Sequence, residues 1–136
     1  MTSIGHIVAA AVPIMRAHAE SLMLDRCHIQ RTMSSFDEVQ QKTVTTWASV
    51  HVNVPCMVDD EPAPARILVT DQAASPDGPD LYVPVSVTGI KPDDRVTITA
   101  IGPETDPALL GAVLWVTSDD TQSHAVERHL TCRRVR

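Results

Sequence analysis

The chain reads as a mainly β protein: a small β-barrel, SH3-like or a related closed sheet, preceded by an N-terminal α-helical arm. Three observations lead there. Its 136 residues fit one domain, since independent domains typically run to roughly 100–150 residues. Apolar residues recur at near-helical spacing over the first stretch only, from Ile4 to Leu24. From Asp25 onward the texture changes to short runs rich in Val and Thr, β-branched residues that suit a pleated half-buried surface, separated by Pro, Gly and Asp. Many short strands need closure to remove edges that would otherwise aggregate, which favours a barrel. The expected organisation is an arm over residues 1–24 and a barrel domain over 25–136, with long loops near 59–65 and 71–80.

In the arm, Ile4, Ile7, Val8, Ala11, Ile14, Met15 and Leu22 share a helical spacing. Pro13 either opens a second helix in its first turn or sits within one longer helix. In Asp25–Arg31 the alternation puts Cys27 and Ile29 on one face and Arg26, His28 and Gln30 on the other. Further strands are expected at Thr43–Ser49, Val52–Val58, Arg66–Thr70, Leu81–Val87, Arg95–Ile101, Ala112–Ser118 and Arg128–Cys132. Strict alternation is clearest at Arg95–Ile101, introduced by Pro92-Asp93-Asp94, a turn whose carboxylates can bond nearby amides. Val96, Ile98, Ala100, Val113, Trp115 and Leu130 are the expected core contributors.

Composition narrows the functions. Eleven Lys and Arg against 17 Asp and Glu give a net charge of -6, the wrong sign for gripping phosphates by counterion release. Aromatic residues are 3% of the chain, too few for stacking single-stranded bases. The apolar N-terminal run has no Lys or Arg before it and falls short of the roughly 20 residues that span a bilayer, so neither secretion nor membrane anchoring is expected. Cys27, Cys56 and Cys132 are widely spaced and odd in number, which suits reduced thiols buried in strands better than a disulfide framework.

No residue pattern points to catalysis. His124, His129 and Cys132 lack the close ligand pairs of structural zinc. There is no G-x-S-x-G elbow for a serine nucleophile. The acidic pairs Asp59-Asp60, Asp93-Asp94 and Asp119-Asp120 do not form a calcium loop. No catalytic residue, metal or cofactor is therefore expected. The loop Asp71–Asp80 carries Asp71, Asp77 and Asp80 without positive charge, and Pro76, Gly78 and Pro79 exclude regular structure. Its residues Asp71, Asp77, Gly78 and Asp80 are candidates for a channel or docking loop. The basic tail offers Arg133, Arg134 and Arg136 as candidate contacts to a neighbouring subunit or another partner.

Read in order, several segments resemble the head-to-tail stopper, or head-closure, family of neck proteins from long-tailed actinobacterial phages. Ser21–Arg31 resembles that family's helix exit into a strand with D-x-C-x-I-x-R, and Val54-Pro55-Cys56-Met57-Val58 its next P-C strand. Leu81–Val85 and then Lys91–Thr99 resemble a strand followed by a G-D-R-V-T-V-T turn and strand, with Asp93 standing in place of the usual Gly. Asp106–Val116 and Arg128–Cys132 complete the likeness.

The resemblance implies a non-enzymatic virion protein, made in the host cytoplasm and placed at the neck. It would form a homo-oligomeric ring between portal or adaptor proteins on the head side and tail-terminator or tail-tube proteins on the tail side. Phage DNA would pass through without sequence-specific binding, and no membrane would be involved. A tail terminator or other joining protein is the neighbouring alternative. A monomeric β-barrel that binds a small ligand or peptide is the alternative of another class.

Overall fold

The computed structural model describes residues 4–59, 78–121 and 125–134. Helix α1 spans Ile4–Ser21, followed by strands β1 (Asp25–Asp37), β2 (Lys42–Asp59), β3 (Asp80–Val83), β4 (Arg95–Ala100), β5 (Val113–Asp120) and β6 (Arg128–Arg134). The strands close into an antiparallel barrel in the order β1-β2-β3-β6-β5-β4. This is the expected architecture.

Several elements differ in extent from the sequence reading. Pro13 lies inside one continuous helix, at an exposed position. The stretches Thr43–Ser49 and Val52–Val58 belong to one long strand, β2. Register shifts opposite Ile29 and a positive φ of 54° at Asn53 mark the β-bulges that looked like a strand break. Those bulges bend β2, so its first half pairs only with β1 while its last residues close onto β3. β3 stops at Val83 because Pro84 cannot continue a ladder, and Pro84 O instead accepts from Val87 N in a turn. Arg66–Thr70 lies outside the described residues.

Alternation builds the core. Cys27 and Ile29 of β1, Val54 and Cys56 of β2, Leu81 and Val83 of β3, Val96 and Ile98 of β4, and Leu130 and Cys132 of β6 all point inward and are buried. Strand β5 corrects one expectation. Leu114 and Val116 face the core, while Val113 and Trp115 lie on the outer wall. Ala112-Val113-Leu114-Trp115-Val116 is apolar throughout, so alternation could not choose a face. The register Arg95↔Trp115, with Arg95 outside, makes the choice. Ala100 is also exposed, at the end of β4 where pairing to β5 has ceased.

Two polar staples lock the barrel's corners. Asp25 Oδ1 accepts from Gly102 N at 2.8 Å and Thr105 Oγ1 at 2.6 Å, tying the start of β1 to the turn after β4. Gly102 is required there, because a Cβ would press on Leu24 Cβ at 2.7 Å. Arg31, at the far end of the same motif, donates through Nε and Nη2 to Asp94 at 2.9 Å each. Asp94 also accepts from Lys91 N, and Asp93 beside it adopts φ 72°. The position where the resembled family carries Gly is thus left-handed here, in a residue that tolerates it better than most.

Candidate interaction surface

Beyond Gln30, β1 leaves β4 and, among the described residues, pairs with β2 alone. The rungs from Arg31↔Ala48 to Asp37↔Lys42 form a two-stranded arm off the barrel. Its tip is shaped locally: Asp37 Oδ1 accepts from Val39 N and Gln40 N, and Gln41 takes φ 58° to return the chain. Apolar side chains stand in solvent along it, with Met33 58%, Phe36 60% and Val39 92% exposed. Exposed apolar residues on an arm with open strand edges are a combination that soluble proteins usually cover.

At the root of the arm a row of outward side chains crosses the wall. Gln30 of β1 is paired with Arg95 of β4, Arg95 with Trp115 of β5, and Trp115 with Arg133 of β6. Trp47, from the arm's second strand, stacks on the Arg95 guanidinium at 3.6 Å and lies 5.8 Å from the Trp115 ring. Arg133 sits 5.9 Å over Trp115 from the other side. Arg95 Nη2 donates to Gln30 Oε1 at 2.7 Å. Arg95 Nε and Trp115 Nε1 are buried with no acceptor among the described residues. Each cation–π contact adds on the order of 1 kcal/mol, and the row holds its Trp and Arg side chains, the types enriched at binding hot spots, in fixed positions.

The other end of the β5–β6 pair is acidic. Asp119 accepts from Arg128 Nη1 at 3.0 Å, and Asp120 lies 2.9 Å from His129 Nδ1. His129 stacks on Tyr82, and its Nε2 lies 3.0 Å from Asp80 Oδ1 without the alignment of a hydrogen bond.

Asp80 is a buried residue of β3 facing His129, not a loop charge. Gly78 backs onto the Cys132 carbonyl so closely that no side chain fits, while Cys132 N donates to Pro79 O. The end of the expected loop is therefore part of the barrel wall, and Asp71 and Asp77 lie outside the described residues. Arg133 and Arg134 are strand residues, with Arg133 in the Trp row and Arg134 reaching Ala108 O. Arg136 lies outside the described residues. Sequence reasoning passed over Arg95, Trp47 and the arm's Met33, Phe36 and Val39. A detectable signal was the pair of apolar residues, Met33 and Phe36, flanked by Thr and Ser where a buried strand would have continuous alternation.

The three thiols are strand residues and fully buried, as their flanking alternation implied. Hydrogen bonding to Cys56, then burial, pushes the Cys27 thiol far up. Burial, then the Asp80 charge, pushes Cys132 up to about 12. Both favour inert thiols over nucleophiles.

Fold and surface define a class: a filled antiparallel barrel with a helical arm before it and a β-arm projecting from its wall. A family model matches residues 15–133, and the chain belongs to that family, the family of unknown function DUF6093. Comparison with curated proteins and with solved structures finds no match.

Proposed function

We propose that the protein is a structural subunit of a phage neck, a head-to-tail stopper that assembles as a ring and lets the genome pass without binding its sequence. The projecting β-arm carries this reading: its open edges and exposed Met33, Phe36 and Val39 need a protein neighbour. The likeness to stopper proteins supports it, and its motif residues now have fold-building roles. In D-x-C-x-I-x-R, Asp25 staples the corner, Cys27 and Ile29 fill the core, and Arg31 holds Asp94. A ring multiplies each modest interface by the copy number, which suits a joint that must outlast genome pressure. The net charge of -6 suits a wall past which DNA slides.

One observation favours the other class, a peptide-binding module. A groove of about 410 Å³ lies between α1 and the chain before β6, lined by Ile14, Met15, Ala19, Leu22 and Val126 with His18 and Glu127 at its polar side. Labelling the subunit in phage particles and imaging them by negative stain separates the readings. Label at the neck is expected; label absent from particles, with the free chain monomeric, overturns the stopper reading.

A further inference from the structure

We infer that the Arg–Trp row at the root of the β-arm is a socket for the acidic end of a second copy of this chain, making a head-to-tail joint. The inference rests on the assembly reading above and assigns its contact. Four positions in one register row, Gln30, Arg95, Trp115 and Arg133, present two guanidiniums and an indole on the outer wall. Neither Arg95 nor Arg133 meets a carboxylate among the described residues. This cationic stretch stands out on a chain of net charge -6.

The complementary charge is on the same two strands. From Trp115↔Arg133 to Asp120↔His129 is five residues along β5, or about 17 Å at a strand's rise. There Asp119, Asp120 and, just before β6, Glu127 stand against Arg16 and Arg128, and the Asp120 side chain is 55% exposed. A wall positive at one end and negative at the other attracts copies of itself with the ends matched, and such electrostatic matching fixes register. Repeated head to tail, the contact is heterologous and closes into a ring when its rotation allows.

The arm extends the same joint. Its rungs beyond Arg31↔Ala48 give it a reach of roughly 20 Å, enough to lay Met33 and Phe36 on the neighbour. A stable joint buries about 800 Å² per partner, more than a charge contact alone supplies, so arm and socket act together. Trp47 belongs to both, seated in the arm and stacked on Arg95.

The test uses the full chain, light scattering and native mass spectrometry at low and high salt, with thermal melts to show that each variant folds. Wild type is expected to self-associate, more weakly at high salt. Arg133→Glu and Asp120→Arg are each expected to weaken association at least tenfold, because like charges then meet. Mixing the two variants should restore association, since every joint between one variant and the other pairs opposite charges again. Single variants that assemble as wild type does, a mixture that stays apart, or a wild-type chain that remains monomeric at 100 µM would overturn the joint. So would an Arg–Trp row that binds a single-stranded oligonucleotide while Arg133→Glu leaves self-association intact. Neck label with unaffected variants would sink only this joint; the joint confirmed with label elsewhere would sink only the neck reading.

Discussion

Cys132 shows how one side chain links burial to a measurable pH response. Its thiol is raised to about 12 in the fold, against about 8.5 in an unfolded chain. Above pH 8.5 the unfolded state therefore sheds a proton that the folded state keeps, and stability falls as pH rises until the folded thiol also ionises. Cys27 is raised for its own reasons and adds to the same slope. We expect full stability below pH 8 and a loss approaching about 1.4 kcal/mol per pH unit for each thiol between roughly pH 9 and 11. Thermal melts across that range check it, and Cys132→Ala should flatten the slope. At the β4 turn, Asp93 holds φ 72°. Asp93→Gly removes a left-handed cost of about 1–2 kcal/mol and adds about 0.4–1 kcal/mol of unfolded-chain entropy, a net gain of roughly 0.5–1 kcal/mol in denaturant titration. Asp94→Ala should lose about 1–3 kcal/mol, because it removes the ion pair of Arg31, which keeps Gly89 O and some solvent, and leaves the Lys91 amide without its acceptor.

Among the elements, β5 is where packing chose a face that pattern left open. Leu114 and Val116 are inside while Val113 and Trp115 are outside, so a pair of truncations separates the faces. Leu114→Ala should cost about 3 kcal/mol or more as a filled core site empties, whereas Val113→Ala should cost less than about 1 kcal/mol on the outer wall. A larger loss at Val113 than at Leu114 in equilibrium unfolding would mean that the strand faces are reversed. Ile98, facing in from β4, should behave like Leu114, with Ile98→Ala costing roughly 2–5 kcal/mol. The long strand β2 serves two structures through its bulges: one half builds the arm and the other closes the barrel.

For the molecule as a whole, the β-arm is separable from the fold. Replacing residues 35–44 with Asn-Gly keeps the Ser34↔Thr45 rung and Trp47 and closes the shortened hairpin with a favoured two-residue turn. The barrel contributes every residue of the buried core cluster, so melting temperature should change little. Self-association measured by light scattering should fall, because Phe36 and Val39 leave with the tip. An unchanged oligomer would place assembly elsewhere on the chain. No helix among the described residues is long and apolar enough to cross a membrane.

The class of fold was legible in local chemistry. Val and Thr alternation after Asp25, the helical spacing before it and the Pro92-Asp93-Asp94 turn each act over a few residues, so neighbours in sequence suffice to reveal them. Alternation also placed Cys27 and Ile29 inside and Arg95 outside without long-range information. Strand count, the faces of β5, the seat of Asp80 and the Arg–Trp row were decided only by tertiary structure. An apolar run carries no phase of its own, and Asp80 looks like loop until His129 arrives from β6. Trp47 and Arg133 lie far apart in the chain, and only barrel closure sets β1, β4, β5 and β6 side by side, so that Trp47, carried on β2 beside β1, reaches Arg95 and Trp115 on the wall that Arg133 shares.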